Sequence, residues 1–102
     1  MNAKPDTSCL QNTVDVLGDK WTALIINELA QGPSCFCDVE KTLYGISPRT
    51  LSQRLDKLQL EGIIAKEMYK KRPPRYHYYL TSKGQELTSI LDAMSTWGAK
   101  HR

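Results

Sequence analysis

The fold is decided by residues 47–62, which read SPRTLSQRLDKLQLEG. Ser47 is a favourable N-cap and Pro48 a favourable first helical residue, so a helix is predicted to start here and to run to about Glu61, before Gly62. Three leucines recur at helical spacing and are expected to form the buried face: Leu51, Leu55 and Leu58. The opposite face is then available to solvent or to a partner.

Caps, breakers and apolar periodicity place further elements on both sides of this helix. Upstream, the sequence predicts helices over 11–17 and 20–31, the latter capped by Asp19, a short strand over 34–37, and a helix over 39–43 capped by Asp38. Downstream, it predicts strands over 63–69 and 76–80 joined by a loop over 70–75, then a last helix from Thr81 or Ser82 to about Gly98. The predicted order is α-α-β-α-α-β-β-α, mainly α with a small β-hairpin.

A helix, a tight glycine-containing turn, a second helix and a hairpin are typical of a winged helix-turn-helix. At 102 residues there is room for one such domain, over 1–102, and a second copy would help to stabilise so small a core. The N-terminus has no apolar run, and no stretch reaches the roughly 20 apolar residues of a membrane helix, so a cytoplasmic protein without membrane contact is expected.

Positive charge is concentrated in one third of the chain. Residues 47–83 hold nine Lys or Arg against three Asp or Glu, residues 1–46 three against six, and residues 84–102 two against two. Such a segment is typical of a protein that binds a polyanion. A solvated basic face with no partner is the alternative.

The outward face of the helix at 47–61 is suited to reading base edges. At about 100° per residue, Arg49 and Gln53 point away from the leucines, while Arg54 lies closer to the buried edge. Arg pairs twice with guanine and Gln twice with adenine in the major groove of double-stranded DNA. The predicted recognition residues are Ser47, Arg49, Thr50, Ser52, Gln53, Arg54 and Lys57. A merely solvated face would more often carry Glu and Lys.

The loop over 70–75 is expected to form the wing, with Pro73 and Pro74 stiffening its tip. Its four cations are predicted to neutralise phosphates or to enter the minor groove: Lys70, Lys71, Arg72 and Arg75. A charged tip kept polar for solubility is the alternative.

These segments resemble the HxlR family of bacterial winged-helix regulators, which are relatives of MarR proteins. The resemblance covers roughly residues 9–98, and its most specific pieces are GDKWT at 18–22, GISPRTLSQRL at 45–55, PPRY at 73–76, LT at 80–81 and KG at 83–84. It implies a transcription regulator that binds an imperfect palindromic operator as a homodimer whose N- and C-terminal helices form the interface. We expect a repressor rather than an activator.

The last helix supports pairing independently of the resemblance, because its apolar stripe is large for a lone surface helix. The stripe consists of Leu87, Ile90, Leu91, Met94 and Trp97. Packing of this stripe onto the helix over 20–31 is the alternative to a dimer interface.

Three cysteines, an odd number, indicate free thiols rather than a disulfide framework. Members of the family often carry a cysteine at the place of Cys9, and in several it senses oxidants, quinones or other electrophiles, so the resemblance implies that Cys9 is the sensor. A sensor needs an accessible, stabilised thiolate, which a helix N-terminus or a cation such as Lys4 or Lys20 would supply. An inert cysteine is the alternative.

Cys35 and Cys37 depart from the family pattern, and Cys-x-Cys before Asp38 is similar to the paired thiolates of the ArsR metal sensors. In a strand the two would share a face and would suit a soft ion such as Zn²⁺, Cd²⁺ or As(III). Two thiolates do not complete a tetrahedral site, so Cys9 or His77 would have to join them. Small, partly buried apolar side chains, or a resolving thiol for Cys9, are the other interpretations, and no metal site is expected.

The sequence contains few features that are typical of an enzyme. His77 and His101 fall in a predicted strand and a predicted frayed tail, and there is no Ser-His-Asp set, phosphate-cradling glycine loop or HExxH motif, so neither catalysis nor a cofactor is expected. A winged helix that binds only protein is an alternative, although it would favour acidic or apolar residues at the basic positions. RNA binding is a further alternative, but the sequence has no RNP-like aromatic motif. The effector, whether oxidant, electrophile or soft metal, stays open.

Overall fold

The computed structural model describes residues 7–102. The elements run in the order α1 Ser8–Leu17, α2 Lys20–Leu29, α3 Phe36–Thr42, α4 Pro48–Leu60, β1 Ile64–Lys71, β2 Pro74–Leu80, α5 Ser82–Gln85 and α6 Thr88–His101. This is the predicted winged helix-turn-helix, mainly helical with a two-stranded antiparallel hairpin. No helix within residues 7–102 has both the length and the apolar character needed to cross a membrane.

The core lies between α2, α3, α4 and the foot of the hairpin. Its most completely buried side chains are Thr22, Ile25, Ile26, Val39, Leu51, Leu55, Leu58, Ile63 and Ile64. The three leucines of α4 are at most 1% exposed, which confirms the buried face that their spacing predicts. Burying each of them contributes roughly 1.5–3 kcal/mol, so this face fixes the side of α4 that turns inward.

Two tight turns set the ends of α4. Gly45, with φ of 93°, carries the chain from α3 into α4 beside the ring of Trp21. Ser47 is the N-cap and Pro48 the first helical residue, as predicted, and Gly62, with φ of 74°, follows the helix end. Because residues with a Cβ rarely adopt these positive φ values, glycine suits both positions.

The wing is a hairpin in which β1 and β2 pair from Ile64 opposite Leu80 to Lys71 opposite Pro74. A bulge between Met68 and Lys70 leaves Tyr69 without a partner in the ladder. The strands extend into the predicted loop, so the turn is shorter than expected: the sequence places a loop over 70–75, and the structure leaves only residues 72–73 between the strands.

The short strand predicted over 34–37 is reduced to a single bridge between Ser34 and Tyr78. The helix that follows begins at Phe36 rather than at Val39, with Cys35 instead of Asp38 at its N-cap. The prediction that Cys35 and Cys37 share the face of a strand was therefore wrong. The reason is that only one backbone pair with β2 forms before the chain turns into α3.

Three helix boundaries also differ from the predictions. α1 begins at Ser8, three residues earlier than expected, and therefore includes Cys9. α2 ends at Leu29, two residues short of the predicted end. The predicted last helix is divided into α5 and α6, and α6 continues to His101 instead of fraying after Gly98.

The break between α5 and α6 follows from the packing of α5. Gly84 lies so close to the backbone of Ile63 that a Cβ there would stand 2.1 Å from its carbonyl oxygen. This contact directs α5 against the hairpin foot, and a tight turn closed by the Leu87 amide on the Gly84 carbonyl redirects the chain into α6.

Candidate DNA-binding surface

The N-terminal half of α4 presents a polar, acid-free surface. The side chains of Arg49, Ser52 and Gln53 are exposed, and the first turn contains no Asp or Glu. Thr50 is half-buried. Donors and acceptors on an exposed helix N-terminus are the arrangement with which a recognition helix contacts bases in a major groove.

Ser47 and Thr50 hold the first turn of α4 together. The Ser47 oxygen accepts from the Thr50 amide at 3.0 Å, and its hydroxyl donates to the Thr50 hydroxyl at 2.9 Å. This capping removes one unsatisfied amide, while the remaining amides of the first turn and the positive end of the helix dipole favour an anion such as a phosphate.

Arg54 does not extend from α4 towards the outward face. Its Nε donates to the Asp19 carboxylate at the start of α2. Burial by itself raises the pKa of Asp19, but hydrogen bonds from Arg54 and Thr22 and the positive charge of Arg54 outweigh it and hold that pKa below 3.8. The structure therefore separates Arg54 from the other predicted recognition residues.

Lys57 also turns towards the N-terminal helices. Its Nζ donates to the carbonyl oxygen of Asp15, near the end of α1, at 3.4 Å, although the side chain as a whole stays exposed. Of the predicted recognition residues, Ser47, Arg49, Thr50, Ser52 and Gln53 share the first turns of α4, whereas Arg54 and Lys57 contact residues 15–19.

The wing carries its four cations on the distal half of the hairpin, and all four are exposed. Lys70 lies opposite Arg75 in the strand register, and Arg72 is in the turn. Residues 70–75 include no acid that could neutralise them. Like charges held opposite each other repel, so a polyanion that binds here relieves the repulsion.

Nearer the base of the hairpin, aromatic rings stiffen the wing. The Tyr69 ring stacks on His77 with centroids 5.4 Å apart, and Lys66 Nζ lies 4.9 Å from the centroid of the Tyr76 ring. His77 Nε2 also lies 3.9 Å from a Glu67 carboxylate oxygen. The sequence predicted the two strands but did not indicate these pairs.

The three cysteines are free thiols. Cys9 is exposed in the first turn of α1, and Cys37 is exposed in α3. Cys35 lines a recess of about 190 Å³ together with Asp38 and His77. Across residues 7–102, no group of three or more His, Cys, Asp or Glu side chains is arranged to hold a metal ion. Lys4, one of the two cations considered for Cys9, lies outside the described residues.

The apolar stripe of the last helix divides between core and surface. Leu91 is buried, and Leu87 packs against the core just before α6. Ile90, Met94 and Trp97 are 40, 50 and 60% exposed. The sequence predictions missed three further exposed apolar side chains in α1 and α2, namely Leu10, Val14 and Leu24. The four-residue spacing of the first two was the signal that could have identified them.

Residues 16–102 match the HxlR-like helix-turn-helix family. The chain is 36% identical over 100 residues to the uncharacterized HTH-type transcriptional regulator YvaP of Bacillus subtilis strain 168, covering 98% of this chain and 93% of YvaP. Its fold is similar to that of a MarR-family regulator from Porphyromonas gingivalis W83, with a TM-score of 0.89 and 25% identity over the whole of both chains.

The fold is also similar to that of the redox regulator HypR, in its reduced and in its oxidized form. The reduced form gives a TM-score of 0.88 at 32% identity, covering 93% of this chain and 94% of HypR. The oxidized form gives a TM-score of 0.86 at 31% identity, covering 92% and 97%.

The helix-turn-helix, its basic wing and these relatives define a DNA-binding transcription regulator of the winged-helix class. Within that class, the chain belongs to the HxlR-like helix-turn-helix family.

Proposed function

We propose that this regulator is a cytoplasmic, non-enzymatic repressor that binds an imperfect palindromic operator as a homodimer. The observation that carries the proposal is the exposed, acid-free N-terminal face of α4, together with a wing that carries four exposed cations. Two copies related by a two-fold axis would place their α4 helices in major grooves about one turn of DNA apart.

Within this proposal, bases are read by side chains on the first turns of α4. Arg49 donates to guanine and Gln53 pairs with adenine, while Ser52 contacts either kind of base. Ser47 and Thr50 keep the helix N-terminus ordered and direct its free amides to a phosphate.

The first experiment is a fluorescence-anisotropy titration onto the DNA upstream of the gene, with an unrelated duplex of equal length as reference. Replacing Arg49 by Ala is expected to cost about 1–3 kcal/mol of specific binding and to relax the preference at one base pair. Arg102→Ala, which removes the same exposed side chain from the end of α6, is the matched control and is expected to bind as the wild type does. Unchanged affinity and base preference in Arg49→Ala would contradict the assignment of α4.

The wing contributes mainly through charge. Replacing Lys70 and Lys71 together by Gln is expected to reduce the slope of log affinity against log salt by about two, because each phosphate contact contributes about one. Lys41 is exposed on α3 and Lys100 on α6, and their double replacement by Gln is the control of equal net charge. A salt slope that changes equally in both variants would contradict a wing-specific contact.

Pairing is assigned to the exposed apolar side chains of α1 and α6. Leu10 and Val14 on one helix and Met94 and Trp97 on the other are each about half exposed or more. Several large apolar side chains exposed on two helices favour an interaction surface more than single scattered ones would. A two-fold contact between such faces would bury them without any further partner.

Cys9 is the proposed effector site. It is exposed in the first turn of α1, beside the proposed pairing face, and a similar fold belongs to a protein described as a redox regulator. With hydrogen peroxide as the oxidant, the thiolate attacks one peroxide oxygen, and an S–O bond forms as the O–O bond breaks. Sulfenic acid and hydroxide result, and the hydroxide takes up the proton that the thiol had released to form water. This change at the pairing face would alter the spacing of the two α4 helices.

The test of Cys9 is the same titration before and after peroxide treatment. We expect the affinity of the wild type to change on oxidation and that of Cys9→Ser to stay constant. Cys37→Ser is the matched control, because Cys37 is equally an exposed thiol and its replacement should leave the response intact. A response that persists in Cys9→Ser would contradict the assignment. A response to Cd²⁺ or As(III) that is lost in Cys35→Ser would favour soft-metal sensing instead.

A further inference from the structure

Two side chains of the proposed recognition helix α4 donate hydrogen bonds to the junction between α1 and α2. The Arg54 side chain on α4 donates through Nε to Asp19, which lies 35 residues earlier in the chain. Both side chains are about one-third exposed, at 31 and 32%. An ion pair this accessible to water contributes only modestly to stability, but it also fixes the position of α4 relative to the start of α2.

The acceptor in this pair is itself held in place. The Asp19 carboxylate also accepts from the hydroxyl of Thr22, at 2.9 Å, and Thr22 is only 1% exposed. Gly18, just before it, ends α1 with its amide donating to the carbonyl oxygen of Val14, and a Cβ there would lie 2.6 Å from the same oxygen. The Asp19 carboxylate is therefore held in position as the acceptor for Arg54 on α4.

A second link lies on the same side of α4. Lys57 is three residues after Arg54 and donates to the carbonyl oxygen of Asp15 at 3.4 Å. Side chains three apart on a helix are neighbours, so the two cations contact one short segment, residues 15–19. This segment ends α1 and begins α2.

Helical geometry separates Arg54 from the base-reading residues. Arg49 and Gln53 are four positions apart and lie about 40° from each other around the helix axis, whereas Arg49 and Arg54 lie about 140° apart. A groove that receives Arg49 and Gln53 therefore leaves Arg54 directed towards the protein.

We infer that Arg54 is a positioning residue, which sets the orientation of α4 through Asp19 so that Arg49 and Gln53 meet base edges, and that it does not itself contact DNA. The inference rests on the proposed function, since it assigns a role within the same recognition surface. Loss of the pair lets α4 shift relative to α2, which weakens base-specific contacts more than contacts to the DNA backbone.

The test is a double-mutant cycle with Asp19→Asn and Arg54→Gln. Asn keeps the N-cap preference of position 19 while removing the charge. The readout is the ratio of the affinity for a duplex selected from a random library to the affinity for an unrelated duplex, at a temperature where circular dichroism shows every variant folded. We expect Arg54→Gln to lower this ratio about tenfold, and Asp19→Asn to lower it no further in that background.

Arg49→Gln is the matched control, because it removes the same charge from the same helix. Because Gln53 still depends on the orientation of α4 when Arg49 is replaced, Asp19→Asn is expected to lower the ratio further in the Arg49→Gln background, unlike in the Arg54→Gln background. Arg54→Lys, which keeps the charge on a different donor geometry, is expected to recover part of the ratio and serves if Arg54→Gln fails to fold.

Three results would overturn the inference. If the losses of Arg54→Gln and Asp19→Asn multiply and the salt slope falls by about one, Arg54 contacts a phosphate. If folded Arg54→Gln keeps the wild-type ratio, the pair is only structural. If the wild-type chain itself shows no preference for any selected duplex, the proposed function fails and the positioning role fails with it, whereas the first two results leave the proposed function intact.

Discussion

The charge of Asp19 depends on the residues that surround it in the folded chain. Although burial raises its pKa, the hydrogen bonds from Arg54 and Thr22 and the charge of Arg54 bring the net value below 3.8. A carboxyl whose pKa is lowered by folding stabilises the fold fully at pH above its unfolded pKa and loses that contribution as the pH falls through the folded pKa. We therefore expect Asp19→Asn to lower the urea midpoint of unfolding by a constant amount at pH above about 5, and the difference from wild type to shrink below about pH 4.

Asp92→Asn is the control for this pH profile, because Asp92 is an exposed carboxylate on α6, far along the chain from the Arg54 pair. Its difference from wild type is expected to stay near zero over the same range. A difference between Asp19→Asn and wild type that stays constant down to about pH 2 would contradict the lowered pKa.

Single side chains show where prediction from sequence succeeded and where it ended. The leucine spacing in α4 correctly predicted which side of the helix is buried and left Arg49 and Gln53 on the exposed side. The same periodicity placed Arg54 near the buried edge of the helix. The sequence prediction nevertheless included Arg54 among the recognition residues. Periodicity gives the direction of a side chain and not its partner, and Asp19 is 35 residues away in sequence.

At the scale of elements, two glycines in the C-terminal helices have opposite surroundings. Gly84 in α5 is buried, and a Cβ there would approach the Ile63 carbonyl oxygen to 2.1 Å, whereas a Cβ at Gly98 in α6 would meet nothing within 4 Å. Gly84→Ala must push α5 away from the hairpin, so we expect it to destabilise the fold by about 1–3 kcal/mol. Gly98→Ala should be neutral or stabilise it by up to about 1 kcal/mol. Thermal unfolding of both variants, monitored by circular dichroism, tests these two expectations. Equal changes in stability for the two variants would contradict the packing of α5.

Prediction was most accurate for elements whose ends are set by local chemistry. Ser47 and Pro48 start α4 as predicted, because a capping side chain and a fixed φ act within one turn. The start of α3 and the break between α5 and α6 depend on contacts with the hairpin instead. Ser34 pairs with Tyr78, and Gly84 packs on Ile63, contacts between residues about 20 to 45 positions apart that no local pattern reveals.

At the scale of the whole molecule, two sets of exposed side chains carry the proposals, one for DNA binding and one for pairing. The first set lies on the N-terminal half of α4 and on the cationic wing, and the sequence indicated both from charge, helix caps and leucine spacing. The second set consists of exposed apolar side chains on α1 and α6, of which the sequence identified only those on α6. The family resemblance implied that the N-terminal helix contributes, but its predicted start at residue 11 excluded Leu10, whose spacing from Val14 marks the apolar face.

If the exposed apolar side chains of α1 and α6 form the pairing face, the largest of them should contribute most to dimer formation. Trp97 is 60% exposed in the single chain and is of the residue type most often found at the energetic centre of interfaces. Replacing it by Lys should weaken pairing by at least about thirtyfold, because an interface hot spot contributes about 2 kcal/mol or more. Sedimentation equilibrium should then show the wild type at twice the chain mass of 11.6 kDa and Trp97→Lys near the single mass at equal concentration.

Leu60→Lys is the control that tests whether the effect belongs to this face. Leu60 is an apolar side chain with still greater exposure, 90%, but it lies at the end of α4 rather than on α1 or α6. The same loss of apolar surface should leave pairing unchanged there. Because two recognition helices joined in one dimer bind two half-sites together, Trp97→Lys should also weaken operator binding, whereas a single half-site should be bound as by the wild-type monomer. A wild type that sediments as a monomer, or equal dissociation by both substitutions, would contradict the assignment of this face.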